Sequence, residues 1–524
     1  MKKILSLFAT MALSSACGSQ ILAAEEKEAT AKEDQQSPEK PNILIFYVDD
    51  LGYGDVGCYG ATGVETPNVD QLASEGMRFT DAHCSAATST PSRYALLTGS
   101  YAFRGGARIL PGDAPLLIDT DQKTLPSMLQ QAGYATGIVG KWHLGLGDGN
   151  INWNEAVKPG PLEVGFDYSY IIPATGDRVP CVWLENHHVA NLDPEDPIRI
   201  SYGEKIGDEP TGLSHPELLR VKADRHHSST IINGVGRIGY MAGGHTARWE
   251  DELFAWEKLW KAREFMDRNK DKPFFLYFSL HDIHDPHLPN QKFVGQSDMG
   301  PRGDAIVQMD WMLGEIMKKL EKMGKKENTM VIFTSDNGPV LHDGYVDHGE
   351  EMVGDHKPAG PFSGGKYSAL EAGTRVPMIV SWPGVIEPGT SDALVGQVDL
   401  LASLARLTGQ SLQGQEAPDS YNLLPTLTGK SSEGRGHLVE ESWTLGLRQG
   451  QWKYIEPGQE PGWVRDSKHI DPGGSSQPQL YNLDKDMGEK HNVAEQHPDR
   501  VQQMQNMLDQ IREQDYSRPI FNRE

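Results

Sequence analysis

Ser89 and Arg93 stand four residues apart in the run Ser-Thr-Pro-Ser-Arg-Tyr-Ala-Leu-Leu-Thr-Gly, residues 89–99. One helical turn places a hydroxyl and a guanidinium at that spacing on the same face. Pro91 and Ser92 suit the opening of a helix and Gly99 suits its end. A nucleophile position, a helix N-terminus and a fixed positive charge then meet at one spot, an arrangement that holds a tetrahedral oxyanion. A second group is acidic. Asp49 and Asp50 lie in Val-Asp-Asp-Leu-Gly-Tyr-Gly-Asp, and Asp336 and Asn337 in Ser-Asp-Asn-Gly. Adjacent carboxylates repel unless a cation joins them. A donor set made only of oxygen suits calcium ahead of magnesium, whereas zinc asks for more nitrogen or sulfur. Lys141 and His143 occupy alternate positions of Gly-Lys-Trp-His-Leu-Gly, which share one side of an extended chain. His281, His284 and His287 are spread through His-Asp-Ile-His-Asp-Pro-His, and imidazole titrates in the range that proton transfer needs.

These residues are far apart in the chain, so a common scaffold has to gather them. Apolar runs at Asn42 to Val48, Ala135 to Val139, Phe274 to Leu280, Met330 to Thr334 and Val376 to Trp382 read as strands buried on both faces. Helical patterns cover Asn68 to Glu75, Thr124 to Ala132, Glu250 to Asn269 and Asp304 to Met323. Such alternation predicts an α/β fold, a mainly parallel central sheet flanked by helices. Asp49–Asp50, Lys141–His143, His281–His284 and Asp336–Asn337 each follow one of the strands, and ligands of open α/β sheets bind beyond the carboxyl ends of strands. Residues 41–415 are read as the catalytic domain. The Gly- and Ser-rich stretch 410–435 marks a junction, and 416–524 are read as a smaller α+β subdomain, with short strands at Gly446 to Tyr454 and Gln479 to Asn482 and a closing helix from Arg500 to Gln514. Residues 146–250 are rich in Gly, Pro, His and Asp with weak periodicity, and irregular insertions of that length usually shape a binding pocket.

At 38% hydrophobic and 23% charged residues over 524 positions, the chain is an ordinary globular protein able to bury a large core. Its net charge of −24 argues against nucleic acid as a partner and requires any anion site to be locally positive. Residues 1–24 read as an export signal: Lys2 and Lys3 precede the apolar run Ile4 to Leu13, which is too short to span a membrane. Cys17 after Ser14-Ser15-Ala16 resembles a lipoprotein cleavage box, with cleavage after Ala24 as the alternative. Residues 25–40 read as a disordered tether. The expected location is therefore outside the cytoplasm, periplasmic or lipid-anchored at the bacterial envelope through Cys17. Cys58, Cys84 and Cys181 are too few for a disulfide framework, and Cys84 reads as a buried structural thiol.

The run from Ser89 resembles the signature of the type I sulfatases, Cys or Ser, any residue, Pro, Ser, Arg, then Leu-x-Thr-Gly. Four further segments resemble that family in the same order, among them Gly-Lys-Trp-His-Leu-Gly and the run after Lys366, where Ala372 replaces a Gly. The resemblance implies an alkaline phosphatase-like fold and a sulfatase in which Ser89 is oxidised to formylglycine. The Ser form implies an anaerobic-type sulfatase-maturating enzyme as partner. It implies that Asp49, Asp50, Asp336 and Asn337 hold calcium, with an oxygen from residue 89 completing the shell. It further implies that Arg93, Lys141 and Lys366 neutralise the sulfuryl oxygens and that His143 holds the hydrate. The catalytic His of the family lies just ahead of a Pro. His284, before Asp285-Pro286, fits as general acid to the leaving alcohol, and His287, before Leu288-Pro289, fits the same pattern. A sulfated glycan or sugar is the expected substrate, with Asp177, Arg178, His287, His342 and His348 as candidate contacts. A phosphate or phosphonate ester hydrolase of the same superfamily, or an inactive glycan-binding relative with Ser89 unconverted, are the rival expectations.

Overall fold

The computed structural model describes residues 40–518. The export signal, Cys17 and the tether up to residue 39 lie outside the described residues. Asn42–Val48 is Asn-Ile-Leu-Ile-Phe-Tyr-Val with every side chain buried, as expected of a strand covered on both faces. It pairs in parallel with Phe274–Ser279 on one side and Thr329–Ser335 on the other. Ala135–Lys141 joins Phe274–Ser279, and Tyr168–Ile172 joins Ala135–Lys141, both in parallel. These five strands are the centre of a ten-stranded sheet. Met378–Ser381 also enters the sheet, but antiparallel to Thr329–Ser335. Helices Phe254–Arg268 and Gly300–Lys322 cover the sheet with their apolar faces. The fold is the mostly parallel, alkaline phosphatase-like architecture expected. No helix among the described residues is long and apolar enough to cross a membrane.

Register places the chemistry. Val48 lies opposite Ser335, and Tyr47 opposite Ser279, which in turn faces Gly140. Asp49 and Asp336 therefore leave the sheet at one level, and Lys141, the last residue of its strand, ends one residue short of it. Helix Ser89–Thr98 lies against this edge, with all ten of its residues buried. It stops at Gly99, whose φ of 64° suits glycine, and a Cβ there would come within 2.6 Å of the Ala417 methyl.

Beyond the junction, Leu438–Glu441, Leu445–Gln449, Trp452–Ile455 and Gln479–Asn482 form a four-stranded antiparallel sheet. The single run expected from Gly446 to Tyr454 is a hairpin, because Gly450 turns the chain at φ 56°. Helix Pro498–Glu513 packs on this sheet through Met504, Leu508 and Ile511. A buried ionic cluster ties this sheet to the larger one: Lys453 reaches Glu440 at 2.9 Å and Glu371 at 3.2 Å, and Arg448 reaches Asp81 at 3.0 Å. Cys58, Cys84 and Cys181 are unpaired, and Cys84 is buried as expected.

Candidate active site

The signature helix delivers Ser89 to the carboxyl edge of the sheet. Its hydroxyl lies 2.8 Å from Lys141 Nζ, 3.3 Å from Asp49 Oδ1 and 3.4 Å from Asn337 Oδ1. Lys141 Nζ also donates to both Asp49 oxygens, at 2.9 and 2.7 Å. Arg93, one turn on, does face the same spot. It donates through Nε and Nη2 to Asp336 Oδ2 at 3.0 and 2.7 Å, and through Nη1 to the Lys141 carbonyl at 3.4 Å and the Ser279 hydroxyl. A fully buried guanidinium held this way is a fixed charge. Lys366 Nζ closes the far side, 2.8 Å from Asp50 Oδ2 and 2.9 Å from Asp343 Oδ2.

The acidic residues fit a hard cation. Carboxylate oxygens of Asp49, Asp50 and Asp336 lie within 4.8 Å of one another, all buried. Asn337 joins them, donating to Asp50 Oδ1 at 2.7 Å. Burial opposes the charge of Asp49, but Lys141, His284 and His281 outweigh it and hold its carboxyl well below the usual range. At Asp50 burial wins over Lys366, with help from Asp49 and Asp336, and the carboxyl is pushed up to about 7. A carboxyl driven toward its neutral form by burial and two acidic neighbours is what an all-oxygen cation site looks like before the positive charge is supplied.

The histidines separate into distinct roles. His284 Nδ1 lies 2.6 Å from the Asp285 carbonyl and its Nε2 3.9 Å from Asp50 Oδ2. Burial, reinforced by Lys366, lowers its pKa well below the usual value. His143 is not on a continuing strand. The strand ends at Lys141, and His143 adopts φ 57°, so the alternation expected for Lys141 and His143 breaks there. Its Nε2 is 3.0 Å from the Leu110 carbonyl, and its buried Nδ1 has no partner. That orphan atom is suited to a group attached at residue 89. His281, named with its neighbours but given no role from sequence, lies 3.0 Å from Asp49 Oδ2 through Nδ1 and accepts from Gly176 N at 2.7 Å through Nε2.

A cavity of about 340 Å³ opens beside His284 and Asp343. Asp177 and Arg178 line it as expected, paired at 3.0 Å. Three other expected contacts do not. His287 is locked between Asp285, at 3.1 Å, and Asp347, with 1% of its side chain exposed. His342 stacks on His469 with centroids 5.8 Å apart, outside the cavity wall. His348 is exposed and faces Glu351. Within 342–348 the group that reaches the cavity is Asp343, bonded to Lys366, Tyr367 and Lys468. His227, 3.5 Å from Asp177, and Lys468 complete the wall. Spacing gave no signal for either: His227 lies with His226 in a polar loop, and Lys468 ends a short helix.

A family model described as Sulfatase matches residues 41–410. The N-acetylgalactosamine-6-O-sulfatase of Bacteroides thetaiotaomicron is 48% identical over 488 residues, 92% of this chain and 95% of that protein. Arylsulfatase A of Homo sapiens is 33% identical over 478 residues, 86% of this chain and 83% of that protein. A solved structure concerned with the metabolism of multiple glycosaminoglycans by Bacteroides thetaiotaomicron overlays with a TM-score of 0.90 at 48% identity, covering 91% of this chain and all of that one. The matched span runs from the first strand to the junction and so contains Ser89, Arg93, Lys141, Lys366 and the acidic cluster together; the chain belongs to the sulfatase family, whose members are sulfuric ester hydrolases.

Proposed function

We propose that this sulfatase removes a sulfate ester from a carbohydrate. The observation that carries this reading is the cavity beside His284, whose wall sets Asp177, Arg178, His227, Asp343 and Lys468, donors and acceptors for ring hydroxyls, among Ile109, Ile238, Tyr367 and Trp463, which offer apolar surface to the C–H faces of a sugar. One of the relatives at 48% identity is an N-acetylgalactosamine-6-O-sulfatase, so 6-sulfated N-acetylgalactosamine heads the substrates to test.

Asp49, Asp50, Asp336 and Asn337 would hold calcium, which supplies positive charge to the bound sulfate. Ser89 would be the residue converted to formylglycine by an anaerobic-type maturating enzyme, and the modified group would supply, as its hydrate, an oxygen nucleophile for sulfur. The other roles belong to residues in place. Arg93, held by Asp336 and Ser279, stabilises the attacking side without reorganising. Lys141 and Lys366 now neutralise Asp49 and Asp50. Once those carboxylates are otherwise balanced, both ammoniums turn donors to the sulfuryl oxygens. The Asp285 carbonyl fixes a proton on His284 Nδ1, which leaves Nε2 as the atom that protonates the departing alcohol. An entering sulfate monoester brings the negative charge that offsets Lys366 and lets this ring gain its second proton. His143 Nδ1, buried and without a partner among the described residues, would accept the remaining hydroxyl proton of residue 89 as the C–O bond to sulfate breaks and inorganic sulfate departs.

The test is sulfate release from a panel of monosulfated sugars beside an aryl sulfate and a matched phosphonate ester. The reading requires one sulfated sugar to be the preferred substrate. Preference for the aryl sulfate or for the phosphonate would overturn it.

A further inference from the structure

We propose that a second cavity, next to the one described, is a saccharide subsite for an anionic sugar linked to the sulfated one. This rests on the carbohydrate reading and extends it. The cavity is about 560 Å³ and shares Ile109, Tyr367 and Trp463 with the first, so these three side chains are a common ridge. Thr88 and Pro91, on either side of Ser89, form its inner wall. A chain whose sulfated sugar lies in the first cavity crosses that ridge into the second.

Two features identify the occupant. Trp463 is 47% exposed, and its ring meets Tyr367 edge-on at 4.9 Å. An open indole held at a fixed tilt is a platform for the C–H face of a sugar ring. Arg108, which also lines this cavity, is exposed and makes no hydrogen bond or ion pair with any described residue. Its neighbour Glu441 feels the Arg108 charge, but it accepts the Phe103 N–H at 2.8 Å and burial pushes its carboxyl up to about 7. A guanidinium with no hydrogen-bonded partner among the described residues, on a cavity wall of a chain of net charge −24, is a receptor for an anion. The carboxylate of a uronic acid and a second sulfate share that chemistry.

Wild type and Arg108→Gln are compared on four substrates: the sulfated monosaccharide, and the same sugar linked to a neutral, a uronic acid or a second sulfated neighbour. The wild type is expected to favour an anionic neighbour over the neutral one. Arg108→Gln is expected to leave kcat/KM on the monosaccharide unchanged and to lower it about tenfold on the preferred anionic disaccharide, the effect of one charge-assisted hydrogen bond. Whether the uronate or the sulfate arm responds names the anion. Equal losses on monosaccharide and disaccharide, or no loss on either anionic arm, overturn the proposal. Calorimetric titration of the desulfated disaccharide reads the subsite without turnover: weaker binding to Arg108→Gln supports it and equal binding overturns it. Absence of sulfate release from every sugar instead sinks the carbohydrate reading, which this titration does not touch.

Discussion

His284 and His287 stand three residues apart in one loop, yet their surroundings give them opposite character. Burial and the nearby Lys366 ammonium keep His284 neutral. Burial also opposes the charge on His287, but Asp347 and Asp285 outweigh it and raise its pKa to about 9. Each stands two positions before a proline, so His284 fits the family pattern best from sequence but His287 fits it too. What separates them is Asp347, sixty positions further on, which no local spacing can reveal. His284→Ala should lower the rate on a sugar sulfate by roughly 10²–10⁴. It should have much less effect on an aryl sulfate whose phenolate leaves without a proton. Steady-state rates on the two substrates decide this, and equal losses would place the acid elsewhere, with Lys366 next in line. His287 should act on stability instead. Its folded pKa lies above the unfolded value near 6.5, so its contribution is complete below that pH and is lost as pH rises toward 9. The slope reaches at most about 1.4 kcal/mol per pH unit for one proton. Melting temperatures of wild type and His287→Phe across pH 6–9.5 should show a flatter profile for the variant, and parallel profiles would dismiss this charge. Residue 89 carries the simplest check: its peptide from active protein should be two hydrogens lighter than serine.

At the scale of elements, the reading from sequence succeeded where burial leaves a periodic mark. The strand expected from Asn42 to Val48 has those limits, and Met330 to Thr334 gains one residue at each end. Apolar runs report burial but not direction, which is why Met378–Ser381 came as an antiparallel member of the sheet. The acidic cluster and the signature residues were legible because each leaves the end of a buried strand or opens a buried helix. Lys468 and Trp463 were not, because Gly462–Lys468 is a short, polar helix that approaches the cavity only through the tertiary fold. The same folding-together creates the ionic cluster at the small sheet. Lys453 is fully buried among Glu371, Glu440 and Glu489. Removing its ammonium leaves carboxylates uncompensated, so Lys453→Ala should cost about 3–5 kcal/mol, far more than an exposed lysine. Chemical denaturation followed by tryptophan fluorescence measures it. A loss below 1 kcal/mol would mean that the cluster adjusts its protonation instead.

For the whole molecule the question is how a chain of charge −24 receives an anion. Long-range repulsion is unfavourable, so the attraction has to be local and fixed. Arg93, Lys141 and Lys366 supply three positive charges at the sheet edge, but Asp49, Asp50 and Asp336 cancel them within hydrogen-bond distance. Without a further cation the centre is close to neutral, and burial with its acidic neighbours pushes the Asp50 carboxyl up to about 7. A divalent ion makes it positive, and because its ligands come from both ends of the catalytic sequence, only the folded chain assembles the site. Binding to the folded state alone stabilises it by RT ln(1 + [L]/Kd), about 2.7 kcal/mol at a hundredfold excess over Kd. Chelation should therefore lower activity and melting temperature together, and calcium should restore both along the same titration curve. Asn337→Ala removes one oxygen donor without adding charge. It should move that curve to higher calcium, and it should lower the metal-free melting temperature only by the loss of its buried hydrogen bonds to Asp50 and the Gly338 carbonyl. Restoration by zinc with indifference to calcium would contradict the all-oxygen donor set. Full activity after exhaustive chelation would show that the three basic side chains suffice.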